Sequence, residues 1–453
     1  MQKTMVRDLT KGPVVSLLFR FAMPLFISNA LQALYNLVDM VVVGQVIGQA
    51  GMSAVSIGGD ILHLLTFIAM GFSSAGQVII ARAVGENRPD EIRRTIGTMF
   101  TLLLSASVVI GLACFGLREK ALDWLATPAE SRAYTMSYMV TCIVGLPFIY
   151  GYNIVSAILR GMGDSRRPFV FVAVAAVLNT VLDLVFVNLF PMEMKVFGAA
   201  LATVIGQGVS FVASIVYLYR NRESFGFDFR PASFRPDPAA TRRLLALGIP
   251  MAIQSAAINL SKIVLAAWIN DTGVLNSALA GVYNKINMMA GVISQSFTTA
   301  GSTMVGQNLG ARKYGRVNIV LATVLCTGLV LGVAATAAML LFPEAIYGIF
   351  NSTEEYMAAA GVLTLPIILN FFGSATRSGA FALINGSGRS NLNLAVAIID
   401  GVISRVGLAA LLGFALNMGC RGFWLGDALA GFMPFVIGGT FYLSGRWRVR
   451  ESA

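Results

Sequence analysis

The sequence predicts an all-α polytopic membrane protein, with twelve transmembrane helices in two six-helix lobes related by a parallel repeat around a central cavity. Three observations carry that expectation. Twelve apolar runs are long enough to cross a bilayer, six on each side of a polar, proline-bearing stretch at about 221–243. Lys and Arg gather on one side of those runs. The second half repeats landmarks of the first.

Composition supports the first observation. The chain has 453 residues, 56% hydrophobic and only 12% charged, against about 25% charged in ordinary soluble domains. A bilayer core is about 30 Å thick and takes roughly 20 apolar residues per helix. The runs read as 17–43, 52–80, 94–116, 134–158, 168–190 and 197–220, then 244–270, 277–303, 317–342, 357–384, 392–416 and 421–443. They use nearly the whole chain and leave no room for a sizeable soluble domain. Helices are expected because lipid offers nothing to an unpaired backbone group, and membrane strands would be shorter and alternating. The organisation predicted is an N-lobe at 1–220, a cytoplasmic linker at 221–243 and a C-lobe at 244–453.

Charge fixes the orientation. Of the 33 Lys and Arg, five (Arg118, Lys120, Arg132, Lys195 and Arg421) fall on one side of the runs and four (Lys262, Lys285, Arg377 and Arg405) fall inside them, leaving 24 on the other side. That richer side is cytoplasmic, which puts both termini in the cytoplasm of a multi-pass protein of the cell (inner) membrane. The net charge of +11 reads as topology signal beside anionic lipid rather than a nucleic-acid surface, because no basic patch is interleaved with aromatics. The four cysteines, Cys114, Cys142, Cys326 and Cys420, have no metal-site or disulfide spacing,. The first run is too long for a signal peptide and lacks a small-residue cleavage pattern.

The halves echo each other at an offset near 225. Pro24 matches Pro250. Gly85-Glu86-Asn87-Arg88 matches Gly310-Ala311-Arg312-Lys313, and Arg160-Gly161-Met162-Gly163-Asp164-Ser165 matches Asn385-Gly386-Ser387-Gly388-Arg389-Ser390. An even number of helices per half makes the repeat parallel.

The informative residues are polar groups placed where lipid makes them costly. Asn29, Gln32, Asn36 and Asp39 follow spacings of 3, 4 and 3 in the first helix, hence one polar stripe on an apolar helix. Asn179 and Asp183 share a face of the fifth. Counted from the cytoplasmic side, Asp183 lies roughly 22 Å and Asp39 roughly 28 Å along their helices, so both belong to the outer half of the first bundle. Two carboxylates sharing a poorly solvated site do not both stay ionised, which makes a proton-binding site; the same oxygens suit Na⁺ as well. Pro24 removes a backbone hydrogen bond and marks a bend point. His63, the single histidine, is expected to pack inside, with Asp60 at a cavity or an interface; one histidine excludes Ser-His-Asp and His-metal chemistry. All four intramembrane cations lie in the second half, where Asp400 and Asp427 are available to pair with them. By the offset, Lys262 stands for Asn36 and Leu265 for Asp39. The 20 methionines suit an adaptable apolar pocket.

At these residues the chain resembles the multidrug and toxic compound extrusion family. Pro24 to Gln32, Tyr35-Asn36 and Asp39 to Val43-Gly44 are similar to that family's first helix. Arg160-Gly161, Gly163-Asp164 and Asn179 with Asp183 resemble its fourth-to-fifth helix signature, and Val305-Gly306-Gln307-Asn308-Leu309-Gly310 its segment after the eighth helix. The resemblance implies an antiporter exporting amphipathic, often cationic, organic compounds by alternating access, driven by inward H⁺ or Na⁺. It places ion coupling at Asp39, Asp183, Asn179 and Thr203, with Asn153 and Tyr138 as further members, and the helix bend at Pro24. Asn29, Gln32, Tyr35, Asn36, Lys262 and Arg377 are the expected lining of the substrate cavity. One departure stands out. Some branches carry acids in the seventh and tenth helices, where this chain has Asn259 and Lys262, then Asn370 and Arg377. That disfavours a C-lobe Na⁺ site and a purely cationic cargo.

No cofactor is expected beyond the coupling ion, H⁺ or Na⁺, and no metal site other than Na⁺ at Asp39 and Asp183. The partners expected are small amphipathic molecules and the lipid bilayer, with no nucleic acid, for a protein acting as a monomer. The alternative cargo is anionic or lipid-linked, exported or flipped, which the basic second half suits. A membrane enzyme would need clustered histidines or an Asp-rich magnesium motif, and a channel would need no repeat with coupled acids.

Overall fold

The computed structural model describes residues 7–125, 127–350 and 353–448, without the side chains of Asn36 and Met40. Twelve long helical segments carry the fold. In the first half they are α1 (Val14–Ile47), α2 (Gln49–Gly85), α3 (Pro89–Trp124), α4 (Ala129–Gly161), α5 (Arg166–Leu189) and α6 (Lys195–Arg220). In the second they are α7 (Pro238–Asn270), α8 (Val274–Gly310), α9 (Tyr314–Leu341), α10 (Thr364–Ser387), α11 (Ser390–Ala415) and α12 (Gly419–Leu443). Among the described residues there is no strand, and eleven helices are long and apolar enough to cross a membrane. The exception to the twelve expected is α8, which has the length at 37 residues but is interrupted by Asn, Gln, Ser and Thr. Large apolar side chains point outward, among them Leu112, Val144, Val177 and Leu189, as a lipid-facing surface requires.

The chain forms two compact units. Unit 1 holds the described part of Met1–Asp8 with Met23–Gly248, and unit 2 holds Leu9–Ala22 with Ile249–Ala453. The change of unit thus falls one residue before Pro24 in α1 and one before Pro250 in α7.

Inside unit 1, α4 packs between α2 and α6. Lipid removes the hydrophobic drive between helices, so close van der Waals contact through small residues takes its place. Gly145 sits against Val204, Gly151 against Phe211, and Gly161 against the Gln77 carbonyl. Tyr150, fully buried, donates to the Leu65 carbonyl at 2.8 Å. The turn before α5 shows why its motif reads as it does. Gly163 takes φ +85, and Asp164 then accepts the N–H groups of Arg166 (3.0 Å) and Arg167 (3.4 Å) and the Arg167 guanidinium at 2.7 Å. This satisfies donors that the first turn of a helix leaves open.

The 221–243 stretch packs with unit 1 rather than standing free of it. Phe227, Phe229 and Phe234 form an edge-to-face cluster, and Phe234 also meets Phe100 of α3. Thr101 donates to the Phe234 carbonyl, Asp237 N–H to Thr98 Oγ1 at 3.1 Å, and Arg243 pairs with Glu91. A Cβ on Gly97 would collide with the Ser233 carbonyl. Gly97→Val is therefore expected to lift this segment off α3. Trypsin should then cut at its arginines several times faster in the detergent-solubilised protein, with helix content unchanged; unaltered cleavage would show that the docking is not tight.

In unit 2, the segment before α1 is held by the end of α8. Gln307 Oε1 accepts the Leu9 N–H at 3.0 Å, Asn308 reaches the Leu9 carbonyl at 3.4 Å, Lys313 Nζ the Thr10 carbonyl at 2.8 Å and Arg316 the Gly12 carbonyl at 2.8 Å. α11 is not a plain α-helix: it widens to π-turns at Ile399–Ser404 and Leu411–Ala415. π-Turns concentrate at functional sites. α12 lies close against α11, because side chains at Gly422 and Gly426 would strike the Leu412–Gly413 and Leu408–Ala409 backbones.

Candidate functional site

α1, α5 and α6 bring four expected residues together in unit 1. Asp39, Asn179, Asp183 and Thr203 are 4%, 3%, 0% and 8% exposed. The approach is set by Gly206, one turn beyond Thr203, where a Cβ would come 3.1 Å from the Ala175 carbonyl and 3.4 Å from Asn179 Cβ. With its nitrogen toward Asp39, the Asn179 amide donates to Oδ1 at 3.0 Å, and its oxygen lies 3.3 Å from Thr203 Oγ1. Thr203 Oγ1 is also 3.4 Å from Asp39 Oδ2. One hydroxyl proton therefore has three acceptors in reach, the third being the Ala199 carbonyl at 3.2 Å. Asp183 meets Asp39 carboxyl to carboxyl, and Asp183 Oδ1 has no hydrogen-bond partner. Among the described residues no Lys, Arg or His forms an ion pair with either acid. A carboxyl pair without a cation is held by a proton between its oxygens or by a bound cation.

The other expected members divide. Tyr138 of α4 is buried against Gly58 and lies within electrostatic reach of Asp39, Asp183 and Tyr35. Tyr35, half-buried, lies near Gln207 of α6. Asn153 gives its amide to the Ile149 carbonyl at 2.8 Å, and no described contact joins it to the acid pair. Asn29 and Gln32 are half-buried on α1; the Asn36 side chain lies outside the described residues. α1 runs unbroken through Pro24, whose carbonyl accepts from Ser28 at 2.8 Å. His63, expected inside, is exposed, because helical spacing puts it on one exposed face of α2 with Ser56 and Asp60. Gln207 and Cys142, which lies close to Tyr138, were not expected. Gln207 shares its face with Thr203 four residues earlier, a signal the sequence did offer.

Unit 2 gathers charge of the other sign. Arg405, 1% exposed, donates to Asp427 Oδ1 and to Asp400 Oδ1 at 3.1 Å. Tyr283 donates to Asp427 Oδ2 at 2.8 Å and receives the Asn370 amide at 3.1 Å. The first π-turn carries Asp400, and Ser261 of α7 donates to the Gly401 carbonyl there. Arg377 stands 3.8 Å from Asp400 Oδ2. Lys262 and Lys285 are exposed.

The family model named MatE matches residues 24–185 and 250–411. The chain belongs to the MatE family. The two MatE matches begin at Pro24 and Pro250 and stay 226 residues apart from start to end, from 24 to 250 and from 185 to 411, so the internal repeat is a repeat of the MatE unit itself. Among relatives of this MatE chain, a Bacillus subtilis protein named as a probable multidrug resistance protein, YpnP, is 30% identical over 313 residues, 68% of each chain. A Thermotoga maritima protein named as a probable multidrug resistance protein, NorM, is 24% identical over 438 residues, 96% of this chain and 93% of its own. In fold, the MatE chain matches a solved multidrug resistance MATE family transporter of the MOP superfamily, in an outward-facing conformation, with TM-score 0.86 and 22% identity over 99% and 98% of the two chains. The protein is thus a multi-pass membrane protein of a multidrug transporter family.

Proposed function

We propose that this protein exports amphipathic organic compounds by antiport with H⁺, bound between Asp39 and Asp183, and that it performs no covalent chemistry on its cargo. The observation that carries this reading is the contact between those two buried carboxyls without a cation beside them. With one proton shared, the pair carries one negative charge instead of two, and the carboxyls hold each other through that proton. Deprotonated, it repels itself, and the Asn179 amide and Thr203 hydroxyl offer only partial charges in compensation. Loading and release of one proton therefore changes what holds the outer part of α1 to α5 and α6. Pro24, with no N–H to donate, is where α1 yields most readily. Inward proton movement contributes about 2.3 kcal/mol per 100 mV of membrane potential. The names of the relatives support multidrug cargo, and the Lys/Arg asymmetry supports cytoplasmic termini in the cell membrane.

The test is efflux from proteoliposomes under separately imposed gradients. An inward H⁺ gradient at uniform Na⁺ is expected to drive efflux of an amphipathic cation. A Na⁺ gradient at uniform pH is expected to leave the rate at that of empty liposomes. The opposite result would reassign the same oxygens to Na⁺, and no response to either would remove coupled export. A second reading, export or flipping of anionic or lipid-linked compounds, is favoured by the cations of unit 2.

A further inference from the structure

The cations of unit 2 outnumber its buried acids. Arg405 answers Asp427 and one oxygen of Asp400, and Arg377 stands beside the other at 3.8 Å, beyond hydrogen-bond length. Two arginines and two carboxylates balance. Lys262 is then in surplus. It is exposed, lies within electrostatic reach of Asp427, Arg405, Arg377 and Asp400, and no described ion pair neutralises it. Arg377 Nε is buried without a hydrogen-bond partner, although buried donors are nearly always satisfied. Lys262 follows Ser261, which bonds the π-turn at Gly401, and the charges of this cluster act on it. The repeat sharpens the contrast. Where unit 1 has Asn36 and Asp39, unit 2 has Lys262 and a buried Leu265, so the acid pair has no counterpart and a cation stands near its place. An uncompensated charge within a membrane span is costly, and such groups mark substrate or ion pathways.

We propose that Lys262 and Arg377 form a subsite for one oxyanion group, a carboxylate, sulfonate or phosphate carried on an amphipathic cargo. The ammonium supplies an adaptable point charge, and the guanidinium an open N–H in a planar fork suited to paired oxygens. This deepens, and rests on, the exporter reading above: unit 1 takes the coupling ion, and unit 2 recognises the charged end of what is exported. Two sources present the same chemistry, a free organic anion and an anionic lipid headgroup.

Equilibrium binding to the full-length protein in phosphatidylcholine nanodiscs tests the subsite without any gradient. Two probes share one naphthyl-alkyl body and end in a sulfonate or a trimethylammonium. Lys262→Gln and Arg377→Gln are each expected to weaken the sulfonate probe about tenfold or more, as loss of a charge-assisted hydrogen bond does, and to leave the trimethylammonium probe within about twofold. Lys262→Arg should restore sulfonate binding. Because Lys262 is exposed, its variants keep the fold even if Arg377→Gln does not. Unchanged sulfonate affinity in Lys262→Gln, or equal losses for both probes, overturns the proposal. Adding phosphatidylglycerol to the bilayer separates the sources: competition with the sulfonate in wild type but not in Lys262→Gln assigns a lipid headgroup, and absence of competition assigns a free anion. Selective sulfonate binding with no coupled efflux would sink the exporter reading alone, and coupled efflux with no selectivity would sink the subsite alone.

Discussion

Asp183→Asn is expected to reduce proton-driven efflux to the rate of empty liposomes while the protein still inserts and purifies normally, and Asp39→Asn to do the same. The carboxamide keeps the size of the carboxyl but exchanges no proton at any working pH. For Asp183 the fold has little to lose, since Oδ1 accepts no hydrogen bond in the native protein. For Asp39 the replacement can also set one N–H₂ against the Asn179 amide, which donates to Oδ1 at 3.0 Å. A structural loss of about 1–3 kcal/mol accompanies such a mismatch, so Asp39→Asn should run at a lower thermal midpoint than Asp183→Asn. Substrate binding measured without a gradient should survive in both. Undiminished pH-driven efflux in both variants would remove the pair from the coupling mechanism.

The second large effect is structural. Arg405→Met is expected to destabilise unit 2 by about 3–5 kcal/mol, the cost of leaving buried charges without their opposite. Asp427 and Asp400 are 5% and 0% exposed, and Arg405 is the only described residue that hydrogen-bonds both. Arg377 forms an ion pair with Asp400 alone, at 3.8 Å, and no described ion pair joins it to Asp427. Combining Arg405→Met with Asp427→Asn should recover most of the loss, because Asp400 then keeps Arg377 and a buried ion cluster contributes little net stability once none of its charges is left alone,. Thermal unfolding followed by size exclusion in detergent checks both statements. A single variant as stable as wild type would mean that the cluster is hydrated.

Much of this was legible in the chain. Apolar run length and the Lys/Arg asymmetry report directly on a bilayer, so the helices and the repeat followed from them. The polar stripe of α1 and the Asn179–Asp183 pair of α5 were visible because a polar residue in a membrane span has few structural excuses. What stayed hidden depends on a second helix. Tyr283 reads as one more aromatic until Asp427 is placed beside it. Asn153 is placed in the ion-coupling set by resemblance, yet its amide goes to the Ile149 carbonyl of its own helix. His63 reads as core from its apolar neighbours, but the rotation of α2 puts it on an exposed face with Asp60. The π-turns of α11 leave no mark in hydropathy at all. The 221–243 stretch looks like a free connector because it is polar; its docking depends on Gly97, whose missing side chain matters only against Ser233.

The hold of Gln307 and Asn308 on Leu9 has a consequence for how the protein is made. These residues are 298 positions apart. At translation rates of about 5–20 residues per second, roughly 15–60 s separate the emergence of the first from that of the last. Throughout that interval Leu9 lacks its partners on α8, although Arg7 can already give its N–H to the Met162 carbonyl, 2.9 Å away. Ribosome-stalled chains ending before position 307 should therefore leave Leu9 to Gly12 more open to a site-directed label than chains ending well beyond Arg316.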